Sequence, residues 1–164
     1  MLRRRIYKAI CQRLKATMPQ LEYIDLQKGQ IARAAESYPI PFPSCLIKFM
    51  PVEWTNTGGG QLGETVISVT YYTDHLGDTF EGGEQSPEAI ADLDAIDEVY
   101  NALQGFAPDD MNPLNRVTDT VVEPGARYIS YQTIFKTIFY QAVVEPVLTA
   151  KKTSTNIKTN TDEQ

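Results

Sequence analysis

Apolar residues return every four positions at the start of the chain, at Leu2, Ile6, Ile10 and Leu14, with Ala9 and Ala16 alongside. That period predicts an amphipathic helix. Its other faces hold Arg3, Arg4, Arg5, Lys8, Arg13 and Lys15, and Pro19 stops it soon after Met18. The pattern then changes to short extended runs. Leu21 to Leu26 reads as a first strand, and residues 27–43 as a connection ending in Pro39, Pro41 and Pro43, where proline excludes helix and central strand alike. Cys45 to Met50 is a compact apolar run with Lys48 as its one charge, a second strand. Thr65 to Tyr72 alternates Val66, Ser68, Thr70 and Tyr72 against Ile67, Val69 and Tyr71, a third. The stretch from Trp54 to Gly63 holds four glycines and is too long for a tight turn, so it reads as a flexible excursion between two antiparallel neighbours.

An acidic, glycine-bearing loop follows from Asp74 to Gln85. Ser86, Pro87 and Glu88 then combine a capping hydroxyl, a proline at the first helical position and a carboxylate near the positive end of the dipole. Ile90, Leu93, Ile96, Tyr100 and Leu103 predict a helix to about Gln104, closed by Gly105. Asp109, Asp110, Asn112 and Pro113 mark a loop, Arg116 to Val122 a fourth strand, Glu123-Pro124-Gly125 a turn, and Tyr128 to Val144 a long aromatic fifth strand. The fold class is therefore α+β: a mostly antiparallel sheet of four to five strands with two main helices packed on it. One domain is expected over residues 1–146, with 147–164 a polar, disordered tail.

At 164 residues the chain has the length of one ordinary domain and needs no disulfide scaffold to bury a core. No apolar run approaches the ~20 residues of a membrane span, so no membrane partner is expected. The Arg-rich first helix lacks the serine of a transit peptide. Net charge is −6, but it is unevenly distributed. Residues 1–52 carry nine Lys/Arg and three Asp/Glu, whereas 53–146 carry three and sixteen. Between Lys48 and Arg116 there is no basic residue at all. Arg3, Arg4 and Arg5 spread over most of a turn instead of grouping on one face, which disfavours reading of DNA.

Little catalytic chemistry is on offer. A nucleophilic dyad would need Cys11 or Cys45 with the single histidine, His75, and no motif surrounds any of them. A free cysteine in a helix or core strand is usually a small buried hydrophobe. Asp74, Asp78, Glu81 and Glu84 supply oxygen ligands, but not at calcium-loop spacing, so a solvated loop is expected and no metal or cofactor. Gly58-Gly59-Gly60-Gln61-Leu62-Gly63 lacks the lysine and the following helix of a phosphate loop. Trp54 is either a strand-end core anchor or an interface anchor, the first being commoner.

The order of these features carries a resemblance. An amphipathic helix from Met1 is followed by the proline-punctuated approach Pro39-Ile-Pro-Phe-Pro43 to a strand. A Gly/Gln loop into a second strand, a loop, the helix at 86–104 and two final strands complete it. This order resembles the tail terminator (tail-completion) proteins of long-tailed bacteriophages, or a related prophage neck or tail protein, over residues 1 to about 144. The resemblance implies a non-enzymatic subunit of the virion tail or neck, made in the bacterial cytoplasm. It implies a homo-oligomeric ring of six that caps the tail tube and presents a face to the head-side connector, with DNA present only as passing genome.

Independently of the resemblance, a basic segment joined to an acidic one gives a chain self-complementary patches, as a head-to-tail ring requires. Surplus acid facing a channel would also keep its wall from binding DNA. The residues expected at such interfaces are Arg3, Arg4, Arg5, Trp54, Gln61, Asp74, Asp78, Phe80, Glu81 and Glu84. The other reading is a non-enzymatic adaptor whose acidic surface meets a basic partner; a small hydrolase using Cys45 and His75 stands well behind both. Converting Asp74, Asp78, Glu81 and Glu84 together to their amides is expected to change self-assembly or its salt dependence, measured by light scattering across a salt series.

Overall fold

The computed structural model describes residues 2–33, 40–75, 77, 79–84, 87–108, 111–125 and 128–142. Pro39, Asp78, Ser86, Asp109, Asp110 and the expected tail at 147–164 lie outside them. The elements run α1 (Leu2–Thr17), β1 (Tyr23–Leu26), α2 (Gln30–Arg33), β2 (Ser44–Asn56), β3 (Gly60–Thr73), α3 (Pro87–Leu103), β4 (Asn115–Gly125) and β5 (Tyr128–Ala142). The fold is α+β, with five strands in the order β1-β2-β3-β5-β4. All neighbours are antiparallel except β1 and β2, which run parallel. The last strand thus inserts between β3 and β4, in a sheet that is mostly antiparallel as expected.

One face of the sheet takes both long helices. From α1, Ile6, Ile10 and Leu14, with Met18 just beyond it, pack into a core with Cys45 and Ile47 of β2, Ile67, Val69 and Tyr71 of β3, and Phe135 and Phe139 of β5. The four-residue period is read correctly there. In α3 the buried face is Ala89, Asp92, Ala95, Val99, Ala102 and Leu103; of the expected stripe Leu103 is buried, and Ile96 and Tyr100 are half-buried. Ile90 and Leu93 point outward, at 37% and 50% exposure. The reason is space: α1 already occupies part of the same face, and three alanines let the second helix seat closely beside it. The helix ends at Gly105, which has φ +73° and donates its N–H to the Leu114 carbonyl at 2.8 Å.

The largest departure lies between residues 52 and 65. Strand pairing continues through Trp54↔Gly63, Thr55↔Leu62 and Asn56↔Gln61, so the expected flexible excursion is a paired hairpin arm. Its turn is short: the Thr57 N–H and hydroxyl both donate to the Gly60 carbonyl, at 2.9 and 3.0 Å, with Gly58 at φ +82°. β5 runs alongside as a third strand, through Gly63↔Phe139, Leu62↔Tyr140 and Gly60↔Ala142. The glycines here make room for aromatic rings as well as a turn. A Cβ on Gly63 would lie 2.7 Å from the Phe139 ring, and one on Gly60 2.4 Å from the Tyr140 hydroxyl. β4 also extends further than its apolar run suggests, to Gly125, with irregular register between Arg116 and Thr118 and again between Val122 and Gly125. Gly63→Ala is expected to lower Tm by roughly 3–10 °C, because the added methyl overpacks the Phe139 ring; thermal denaturation followed by circular dichroism measures it.

Candidate functional site

The helix layer orders the charge across the sheet. Tyr7 of α1 reaches Asp25 of β1 at 3.4 Å, which sets α1 toward the β1 end. At the other end the Arg116 guanidinium of β4 lies 3.8 Å from the centre of the Tyr100 ring of α3. Between the helices, Arg13 Nε donates to the Ala102 carbonyl at 2.9 Å and Gln20 donates to Glu98. The basic helix and the acidic helix therefore lie side by side on the same sheet, α1 toward β1 and α3 over β3 and β5.

At the β1 end, a groove of about 520 Å³ runs between α1 and β1, lined by Tyr7, Lys8, Cys11, Lys15, Tyr23 and Ile24 among others. Arg3, Arg4 and Arg5 are exposed on the same helix. Asp25 gathers this end: it accepts from Tyr23 at 3.0 Å and from Leu26 N–H at 2.7 Å, and pairs with Lys28 at 3.1 Å. Those donors hold its carboxyl below the usual range against the opposing effect of burial.

On α3, Asp94, Asp97 and Glu98 are exposed, Glu98 on the flank that meets Gln20, and the helix has no basic residue. Leu93 sits two turns before Tyr100 on the flank turned toward β4. Every side chain of β4 from Asn115 to Val122 is exposed. Val121 pairs with Tyr131 on the helix-covered face and is still 61% exposed; Val117, at the first irregularity, is 59% exposed. The strand's Arg116 and Asp119 neutralise each other at 2.9 Å.

Beneath α3, Asp92 is 5% exposed, a buried carboxylate that periodicity did not single out. Tyr71 donates its hydroxyl to Oδ1 at 2.9 Å. His75 Nδ1 stands 3.3 Å from Oδ2, within ion-pair range but not aligned for a hydrogen bond. His75 thus faces α3, away from any nucleophile arrangement. Cys45 is fully buried in β2 and burial pushes its thiol pKa up, the wrong direction for a nucleophile. Among the described residues no group of three or more His, Cys, Asp or Glu side chains is placed to hold a metal.

The expected interface residues fall into three separate places. Arg3, Arg4 and Arg5 lie at the basic end; Trp54 and Gln61 lie on the arm; Asp74, Phe80, Glu81 and Glu84 lie in the exposed loop before α3, and Asp78 is outside the described residues. Trp54 does two jobs, meeting Phe139 edge-on at 5.4 Å while remaining 42% exposed. Gln61 donates to Asn56 across the arm at 2.9 Å. Missed by sequence reading were the outward Ile90 and Leu93 and the exposed valines of β4. The run Val117-Thr-Asp-Thr-Val-Val122 is a readable signal: β-branched residues along an edge, without the lysines or prolines that usually blunt one.

No protein-family model matches the chain, and no curated protein does. Among solved structures, a chain from the virion of the native gene transfer agent (GTA) particle is similar at 19% identity with a TM-score of 0.42, over 80% of this chain and 92% of that one.

The buried titratable groups make an alkaline limit. Burial raises the Cys45 thiol, and burial and then the Asp92 bond raise the Tyr71 hydroxyl, above unfolded values of about 8.5 and 10. The folded state thus favours both neutral forms. Their contribution is complete below those unfolded values and is lost progressively as pH rises above them toward the raised folded values, at up to about 1.4 kcal/mol per pH unit per group. Urea midpoints are expected to hold to about pH 8 and fall progressively to pH 11. Tyr71→Phe is expected to start about 1–3 kcal/mol lower, with Asp92 deprived of its donor, and to fall less steeply above pH 10.

Proposed function

We propose that this chain is a structural, ring-forming subunit of a phage-type virion, one that caps a tail tube and joins it to the head-side connector. The observation that carries the reading is that the two lateral ends of one sheet-and-helix layer have opposite charge. Lys8 and Lys15, against the single acid Glu22, line the groove beside α1, and Asp94 and Asp97 stand on the exposed side of α3, which has no basic residue. Such ends repel their own kind and attract each other, which favours head-to-tail contact over a two-fold dimer. Head-to-tail contacts close into a ring when the rotation allows. The order of elements shared with tail terminators supports the tail-tube and connector assignment, and the same resemblance supports six copies.

The exposed acidic loop with Asp74, Glu81 and Glu84 suits a wall past which a genome slides, because DNA adhesion depends on cations that release counterions. The adaptor reading uses the same acid surface but gives the basic end no task.

Charge exchange tests the reading. K8E/K15E and D94K/D97K are each expected to weaken self-association about tenfold or more, and the four substitutions together to restore it. Sedimentation velocity measures association, and electron microscopy the closed ring. Failure of the combined variant to recover, with the wild type assembling, removes this pairing of ends.

A further inference from the structure

Resting on the ring reading, we propose that the sheet continues from copy to copy, with the outer edge of β4 on one subunit completed by β1 of the next. β4 and β1 are the two outermost strands of the sheet, so each has one edge with no neighbouring strand among the described residues. β4 is eleven residues long, with Pro124 as its penultimate residue and no lysine or proline from Asn115 to Val122. An edge of that length is usually blunted by lysine, proline or a covering element. Here the side chains Val117, Thr118, Thr120, Val121 and Val122 are exposed, and the only two charges between them and Asn115 cancel within the strand. Main-chain groups and β-branched surface of this kind recruit an added strand.

Charge selects the occupant. Two β4 edges brought together would place two acidic α3 helices beside one another. β1 of a second copy instead brings the lysine-flanked groove, whose walls include Tyr7, Leu21, Tyr23 and Ile24, against Leu93, Val117 and Val121. Strand direction agrees. β1 is parallel to β2, and three antiparallel steps follow to β4, so β1 and β4 run in opposite senses within a subunit. A ring whose axis follows the strands preserves those senses, and the junction is then antiparallel, the pairing with the stronger ladder. Because β1 offers only four residues, the ladder is short. Much of the attraction then falls to the flanking charge, which makes assembly salt-sensitive.

Amide hydrogen exchange on the full chain tests this directly. On assembly, the amides of residues 115–122 are expected to slow at least about tenfold, together with those of β1. V117K/V121K is expected to raise the concentration needed for assembly at least tenfold with Tm unchanged, because both positions are already solvent-exposed. V117T/V121T, which keeps the β-branched shape, is expected to assemble. Rings in which β4 amides exchange at the monomer rate, or V117K/V121K rings forming at wild-type concentration, overturn the strand junction and leave the ring reading standing. An assembly that stops at a dimer, or a chain monomeric at every concentration and salt, overturns both.

Discussion

Two helices share one face of one five-stranded sheet, and the width of that pair governs much else in the molecule. Strands lie ~4.8 Å apart, so five of them make a surface roughly 24 Å across. Two helices packed at 8–10 Å cover about 20 Å of it. One strand is left over. α1 is held toward β1 through Tyr7 and Asp25, and α3 presses against α1 through Arg13, Gln20 and the alanines of its inner face. The strand left uncovered is therefore β4, and its exposed valines follow from helix packing as much as from its own composition.

The close seating of α3 also explains a buried charge. With alanine at 89, 95 and 102, the helix comes near enough for Asp92 to meet the Tyr71 hydroxyl rising from the sheet. A carboxylate in such a place is tolerated only when it is partnered. Tyr71 satisfies one oxygen, and His75, just past the end of β3, stands against the other. The chain's one histidine thus places the start of the acidic loop against the underside of α3. That loop and that helix carry most of the exposed acid among the described residues, so this contact lies where the acid is displayed.

Periodicity located the elements well wherever one face of a helix or strand was uniformly apolar. α1 and the central strands are the clear cases, since Ile6, Ile10 and Leu14, and then Ile67, Val69 and Tyr71, are all core residues. It misread part of the face of α3 because larger aliphatics were weighed above alanine, and the inner face was chosen by available space instead. It misread residues 54–63 because four glycines suggest freedom, whereas Gly60 and Gly63 make room for Tyr140 and Phe139 on the adjoining strand. A contact between residues nearly eighty positions apart leaves no local trace. The parallel pairing of β1 with β2 and the insertion of β5 beside β3 are non-local in the same way. The charge asymmetry, by contrast, was legible in full, although its meaning depended on where α1 and α3 came to lie.

That placement separates two uses of charge which the sequence leaves merged. If the basic helix had packed over β4 and the acidic one over β1, the ends would still be complementary, but the uncovered edge would sit among arginines and lysines. A basic, exposed strand edge in a DNA-filled channel would bind the phosphate backbone. In the observed arrangement the open edge lies in the same layer as the acidic helix, a setting that in the proposed ring would disfavour DNA and favour a basic neighbour. If the proposed ring forms, one asymmetry would serve assembly and passage together, steering a basic neighbour to the edge and keeping a polyanion off it.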